Sequence, residues 1–445
     1  MNRKIVSYLQ FVALIIIFSS IHQPFVPDVM GASLPRYIQD NYIVVLNDAE
    51  VPQKVVSEME EKYHDLGFKV HCVYEQVLNG FSATIPYKIF CMIKQDPKVK
   101  YIEQDKTFYT FGQTVLIGQK VPLGICRIGA GSKNGRDEEL DVDIAIIDTG
   151  IDLDHPDLNI KGNVSFVPGI TSGDDDVGHG THVAGIAAAR DNEIGVAGVA
   201  PGARLYAVKV LRKGVLGEGA GAVSWLISGV DWVTMNAHII EIANMSLGGP
   251  GYSRALRNAI KKSVDRGIVY VVAAGNEGQD VYGDDGIFGT NDDIEPASYP
   301  EVATISAMAD SDGECGGKGN SIKGNSIDNM PDDTMATFSN FSNFVISENP
   351  VHSPGAAIDL AAPGVDILSI YINGTEKTLD GTSMAAPHVA GCVALYIAKH
   401  GRAHTASDVA KIRQILIDNA IPQTHWGSQD TKDPDFNPEG LVNVK

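Results

Sequence analysis

The run Ile144-Ala-Ile-Ile147, followed at once by Asp148-Thr149-Gly150-Ile151-Asp152, is the stretch from which the fold is read. An apolar run this short, closed by an acid and a Thr-Gly turn, predicts a buried strand with Asp148 at its carboxyl end. Strands of the same kind recur at Leu205-Tyr-Ala-Val-Lys-Val210, Ile239 to Met245, Ile268-Val-Tyr-Val-Val272 and Ala303-Thr-Ile-Ser306. Helical stretches alternate with them: His182 to Ala189, Gly221 to Ala237, Tyr252 to Arg266 and Ser383 to Lys399. This alternation predicts an α/β fold, a doubly wound and mostly parallel sheet with helices on both faces. Two Gly/Asp/Asn-rich stretches, 275–295 and 310–335, are too long for turns and predict functional loops or local disorder.

Upstream, residues 38–107 read as a smaller unit. Tyr42-Ile-Val-Val-Leu46 and Phe81-Ser-Ala-Thr-Ile85 are strands, and Val55, Val56, Met59 and Tyr63 share one helical face. A second helix at Ile89 to Ile93 and a closing strand, Val99-Lys-Tyr-Ile-Glu103, complete a ferredoxin-like α+β order. Before this unit, Arg3 and Lys4 precede the apolar run Phe11-Val-Ala-Leu-Ile-Ile-Ile-Phe18. That pattern predicts a secretory signal peptide within residues 1–30, with a retained signal anchor as the alternative.

Composition narrows the class. In 445 residues, hydrophobic residues make up 44% and charged residues 20%, which suits a folded globular protein. The net charge of −20 argues against nucleic acid or an anionic membrane as partner. Cation binding and plain solubility account for it equally. Cys72, Cys91, Cys126, Cys315 and Cys392 have neither metal-ligand spacing nor the density of a disulfide framework. An uncrosslinked core is expected, and a bridge from Cys315 to Cys126 or Cys392 is the alternative.

Chemistry concentrates in three short motifs at strand ends or helix starts: Ile147-Asp148-Thr149-Gly150, Gly178-His179-Gly180-Thr181-His182 and Gly381-Thr382-Ser383-Met384-Ala385. Acyl transfer by a serine needs a base for the hydroxyl proton and an acid to hold that base in its useful tautomer. A serine at a helix N-terminus also meets a free backbone N–H and the positive end of the dipole. Asp148, His179 and Ser383 are therefore read as orienter, general base and nucleophile, with His182 and His388 as packing residues.

The three motifs, in this order, resemble those of the subtilisin-like serine peptidases, from about Val121 to Val444. A fourth stretch, Val272-Ala-Ala-Gly275-Asn276-Glu277-Gly278, resembles the family's oxyanion loop and implies Asn276 as amide donor. The resemblance implies a serine endopeptidase that hydrolyses polypeptide substrates through an acyl-enzyme. It also implies substrate-pairing strands at Ser246, Leu247 and Gly248 and at Gly219 and Gly221, with Ala273 and Gly275 lining the primary pocket. Asp174, Asp175 and Asp176 are read as a solvated acidic loop, or else as favouring a basic residue beside the scissile one.

Structural calcium is the implied cofactor. The resemblance places Asp157, Asn192, the carbonyls of Arg190, Ile194 and Val196, and a glutamine around one ion. Gly112-Gln-Thr-Val115 and Gly118-Gln-Lys-Val121 both offer that glutamine, and Gln119 is favoured because Val121-Pro122 and Gly124 keep the family register beyond it. Asp280, Asp284, Asp285, Asp292 and Asp293 read either as a second calcium site or as a plain acidic loop. The small unit, assigned residues 38–111, resembles the family's pro-peptide, an intramolecular inhibitor and folding chaperone. Self-cleavage is expected near Phe111-Gly112, releasing residues 112–445 as a secreted, extracellular and monomeric catalytic domain with no membrane attachment after signal removal. A degenerate protease fold would lack a triad or oxyanion residue, and none is lost. A serine esterase of another fold would want Gly-x-Ser-x-Gly in place of Gly-Thr-Ser-Met-Ala.

Overall fold

The computed structural model describes residues 37–74, 76–110, 113–115, 122–130, 139–192, 194–215, 217–324, 329–428 and 430–444. The signal-peptide segment, the Phe111-Gly112 bond and Gln119 lie outside them.

The N-terminal unit runs β1 (Tyr37–Leu46), α1 (Pro52–Tyr63), β2 (Lys69–Tyr74), β3 (Gly80–Thr84), α2 (Tyr87–Lys94) and β4 (Val99–Thr110). Pro52 opens α1, where its missing N–H costs nothing. Val55, Val56, Met59 and Tyr63 form the buried face of α1. They share a core with Val44, Leu46, Phe68, Phe81, Ile89 and Ile93. Each such apolar side chain contributes about 1.5–3 kcal/mol on burial. Strand β1 lies between β3 and β4, antiparallel to both. This is the predicted order, with one difference: β4 continues well beyond Glu103. Its first half pairs with β1, and its second half leaves this unit altogether.

The larger body begins with β5 (Gln113–Val115), α3 (Leu123–Arg127), β6 (Leu140–Asp148), β7 (Ile160–Ser165), α4 (His179–Ala188), β8 (Ala203–Lys209), β9 (Arg212–Lys213) and β10 (Gly219–Ala222). Next come α5 (Val223–Met235), β11 (Ile242–Met245), β12 (Leu247–Pro250), α6 (Arg254–Val264), β13 (Val269–Ala273), β14 (Ile294–Glu295) and β15 (Ala303–Ala309). It closes with β16 (Thr334–Met335), β17 (Leu360–Pro363), β18 (Ile367–Tyr371), β19 (Thr375–Asp380), α7 (Thr382–His400) and α8 (Ala406–Asp418).

The central sheet has the order β16-β15-β13-β11-β6-β8-β7, with β17 also beside β15. Its strands are parallel except β16. Every residue of β11, β13 and β15 is buried, as expected of strands covered on both faces. From β6 the chain builds one way through β8 and the other way through β11, so the winding reverses between β6 and β11. Doubly wound sheets place their sites at that point, beyond the carboxyl ends of the strands. Asp148, Met245 and Ala273 end β6, β11 and β13 there.

Several boundaries differ from the sequence reading, among them the helix expected from His182, which starts at His179, and two differ for local reasons. Ile239 and Ile240 are not in a strand, because their N–H groups bond the Asn236 carbonyl at the end of α5. The helix expected from Gly221 starts at Val223, since Gly219 to Ala222 are taken up as β10. All five cysteines are unpaired, as expected. Among the described residues, no helix is long and apolar enough to cross a membrane.

Candidate active site

Asp148 is fully buried at the end of β6. Its Oδ1 accepts the Thr149 N–H at 2.6 Å, and His179 Nδ1 lies 2.8 and 3.0 Å from its two carboxylate oxygens. An ionised carboxylate only accepts, so Nδ1 carries the proton and Nε2 is left with a lone pair. His179 opens α4 and is followed by Gly180, where a Cβ would sit 2.1 Å from the Gly150 carbonyl oxygen. Only glycine lets the helix start approach the Asp148 turn this closely.

The expectation of a solvated loop at Asp174 to Asp176 is corrected. Asp175 is buried and binds both motifs: its Oδ1 accepts the Thr149 hydroxyl at 2.8 Å, and its Oδ2 accepts the Thr181 N–H and hydroxyl at 2.9 and 2.7 Å. It also caps the Val177 and Gly178 N–H groups. Asp176 pairs at 2.5 Å with Lys209, itself fully buried, and Asp174 accepts the Leu153 N–H. Asp174 and Asp176 remain exposed at the surface, so of the three only Asp175 is turned inward.

Ser383 is fully buried in the first turn of α7. Its hydroxyl donates to the Ser246 carbonyl at 3.0 Å, and the Ser246 hydroxyl donates to the Ser383 carbonyl at 2.8 Å. In this conformation the hydroxyl is therefore turned toward the strand following β11, not bonded to His179. Asn276 Oδ1 accepts both the N–H and the hydroxyl of Thr382 at 2.9 Å. Gly275, at φ +110°, donates its N–H to the Thr382 hydroxyl at 3.0 Å, and a Cβ there would meet Asn340 at 2.2 Å. Asn340, which the sequence reading did not single out, clamps this loop by donating to the Ala274 carbonyl and accepting from Glu277 and Gln279. His182 and His388 are fully buried on the Lys377 and Met384 carbonyls, with pKa values depressed by burial to about 3 and about 4. They are neutral packing residues, as expected.

The second half of β4 lies between the two strands expected to pair with substrate. Thr107, Phe108 and Tyr109 face Ala222, Gly221 and Ala220 of β10, and Tyr109 and Thr110 face Gly248 and Leu247 of β12. Two carboxylates of β4 hold it there. Asp105 accepts the N–H and hydroxyl of Ser224 at the start of α5, and Glu103 accepts the Ser253 hydroxyl and the Ala255 N–H at the start of α6. Helix N-termini favour such anionic partners. Burial nevertheless outweighs the donated hydrogen bonds and pushes Glu103 up to about 7 and Asp105 up to about 6. In return, Asp231 of α5 accepts the Gln76 and Val77 N–H groups of the N-terminal unit at 2.8 Å. These capping carboxylates went unread because an acid within a strand looks like an ordinary outward-facing residue until its partner helix is known.

The subtilase family matches residues 140–440, and the peptidase inhibitor I9 family matches residues 41–111. The chain belongs to the subtilase family. It is 39% identical over 337 residues to subtilisin E of Bacillus subtilis (strain 168), covering 75% of this chain and 74% of that one. A subtilisin of Bacillus pumilus is 41% identical over 330 residues, covering 74% of this chain and 98% of its own. A crystal structure of a cold adapted subtilisin-like serine proteinase superposes with a TM-score of 0.53 at 28% identity, covering 74% of this chain and 99% of that one. The protein is a serine endopeptidase with the subtilisin-like fold, preceded by an inhibitor-type pro-peptide domain.

The subtilase's expected calcium loop wraps Asp157. Arg190 N–H donates to the Asp157 carbonyl at 2.9 Å, and Val196 N–H donates to Asp157 Oδ2 at 3.1 Å. Gly195 passes so close that a Cβ would lie 2.3 Å from the same oxygen. Asn192 Oδ1 accepts the Ile194 N–H. Asp157 itself is buried, and an oxygen-only set of this kind is what a hard divalent cation takes. The acidic loop at 280–293 is of a different kind. Asp280 accepts the Tyr282 and Asn343 N–H groups, Asp292 those of Asp284 and Asp285, and Asp293 that of Gly289. Its carboxylates stitch their own loop, in keeping with the plain-loop alternative. Asp310, Asp312 and Asp332 bring oxygens within 4.8 Å of one another, but the Arg127 guanidinium beside Asp310 already supplies positive charge there.

Proposed function

We propose that this subtilase is a secreted, self-processing endopeptidase in which Asp148, His179 and Ser383 form the catalytic triad. The reading rests on one observation above all: the end of the pro-peptide strand β4 lies between β10 and β12, as a bound polypeptide would. In the reaction, Ser383 Oγ turns from the Ser246 carbonyl toward His179 Nε2, which takes its proton as the oxygen attacks the scissile carbonyl. Asp148 keeps Nδ1 protonated and stabilises the imidazolium that forms. The oxyanion is met by Asn276 Nδ2 and by the Ser383 N–H, one of the helix-start donors without an intrahelical partner. His179 then protonates the leaving amine, and water repeats the sequence on the acyl-enzyme. Ser246 to Gly248, Gly219 and Gly221 pair with substrate backbone, and Ala273 and Gly275 wall the primary pocket. Calcium, held by Asp157, Asn192 and the carbonyls of Arg190, Ile194 and Val196, with Gln119 as the sixth assigned ligand, would brace the loop without entering the chemistry. The signal peptide occupies residues 1–30, the pro-peptide 38–111, and the mature, extracellular and monomeric enzyme 112–445.

The test is Ser383→Ala in a host without other proteases. The precursor should remain full length, and general proteolysis should vanish. A product of mature size from that variant would overturn self-processing through Ser383.

A further inference from the structure

Lys106 of β4 is a cation buried against the enzyme body: its ammonium pairs with Glu295 Oε1, with the two side chains 5% and 0% exposed. Glu295 belongs to the enzyme body, which holds its Oε2. It lies on β14, next to the substrate strand β12 through the Gly249–Glu295 pair, and its Oε2 receives the Ser253 N–H and the Tyr299 hydroxyl. The second oxygen, Oε1, has no hydrogen-bond donor of the enzyme body and meets only the Lys106 ammonium. Glu103 and Asp105, which also act on Lys106, belong to the pro-peptide and leave with it. Removal of the pro-peptide therefore exposes a fixed, half-satisfied carboxylate beside the substrate strand. Breaking a buried ion pair by removing one partner is costly, and the cost is relieved when a new cation takes the same place.

We propose that Glu295 is a recognition site for a basic side chain of the substrate polypeptide, at the position that Lys106 holds relative to the bond after Phe111. Lysine and arginine carry the matching charge, and either reaches the carboxylate from a backbone laid along β10 and β12. The site is fixed before substrate arrives, since Tyr299 and Ser253 hold Oε2 and leave Oε1 facing the incoming chain. The proposal rests on the peptidase reading above and adds a specificity determinant remote from the scissile bond.

The experiment uses mature enzyme from the full-length chain and quenched fluorescent peptides spanning residues 105–115, with either lysine or norleucine at position 106. Norleucine keeps the stem and lacks the charge. The lysine peptide should be cleaved with kcat/KM about 10–100-fold higher, as for other buried charge-assisted contacts. Glu295→Gln should bring that ratio to within about twofold. A merely structural role of Glu295 would lower both rates together and leave the ratio intact, which overturns the proposal, as does a parent ratio near one. Should Glu295→Gln not fold, the parent alone decides: a peptide with glutamate at 106 should be cleaved more slowly than the norleucine peptide, and equal rates overturn the proposal. Digestion of casein without cleavage of any peptide also overturns it, whereas loss of both activities overturns the peptidase reading itself.

Discussion

Thr382 donates both its backbone N–H and its hydroxyl to the side-chain oxygen of Asn276, each at 2.9 Å. In the proposed mechanism, the residue before the nucleophile thereby fixes which end of the amide faces the developing charge. A preorganised donor of this kind contributes about 3–4 kcal/mol to lowering the barrier. Asn276→Leu should cut kcat by about 100–1000-fold with little change in KM. Steady-state kinetics on a peptide substrate decide it, and a loss confined to KM would remove Asn276 from the oxyanion role.

Asp175 carries a prediction of a different kind. Five donors from Thr149, Val177, Gly178 and Thr181 converge on one buried carboxylate. Asp175→Ala leaves them unsatisfied between the Asp148 and His179 motifs and should destabilise the fold by about 3–5 kcal/mol. Chemical denaturation of the Ser383→Ala precursor with and without the substitution measures this free of self-digestion. A loss below about 1 kcal/mol would mean that water replaces the carboxylate at little cost.

What the sequence made legible follows from how locally each feature is encoded. The parallel sheet was readable because β13 and β15 are apolar at almost every position, and the candidate site because Asp148, His179 and Ser383, proposed as its triad, each sit in a short run that is itself a strand end or helix start. Asp175 and Asn340 were not readable, since their meaning lies in N–H groups brought together only by the fold. The same holds for β4. Val99 to Glu103 reads as a strand, but nothing local to Thr107–Thr110 announces that its partners are β10 and β12, more than a hundred residues later. The 310–335 stretch, expected as a functional loop or locally disordered, is bound at several points: Asp332 accepts the Ser311 and Gly319 N–H groups, and Asp333 bonds Arg127. Long-range acid–donor pairs of this sort have no sequence signature.

The buried caps of β4 predict a pH dependence for the precursor. Glu103 and Asp105 have their pKa values raised by burial to about 7 and about 6, above their ordinary range. A carboxyl whose pKa is raised in the folded state contributes stability at low pH and loses it as pH climbs through the raised value. Facing them are Glu295 and Lys106 beside Glu103, and Lys106 and Ser224 beside Asp105. Pro-peptide docking should therefore weaken as pH rises from about 4, the ordinary carboxyl range, to about 7, on the order of tenfold or more. The unfolding midpoint of the Ser383→Ala precursor should fall across that window, and less so with Glu103→Gln and Asp105→Asn together. An identical slope in parent and double variant would place the titration in other buried carboxyls.

The last prediction concerns the loop that closes on Asp157. A cation held by Asp157, Asn192 and the carbonyls of Arg190, Ile194 and Val196 binds only the folded enzyme, so it stabilises by RT ln(1 + [L]/Kd), about 2.7 kcal/mol at a hundredfold excess over Kd. Chelation should shorten the thermal inactivation half-life of the mature enzyme, because the binding free energy that favours the folded state is removed. Asp157→Asn keeps the size and one neutral oxygen but removes the charge, so its half-life should respond less to calcium while the triad geometry is untouched. The carboxylates at 280–293 bond their own loop's N–H groups. Asp284→Asn should accordingly respond to calcium as the parent does. Half-lives of the three proteins are compared across a calcium series and in chelator. If the parent ignores both, the loop holds no stabilising ion. If Asp284→Asn rather than Asp157→Asn loses the response, the ion sits in the acidic loop, and the Asp157 carboxylate serves only to tie down the Val196 N–H.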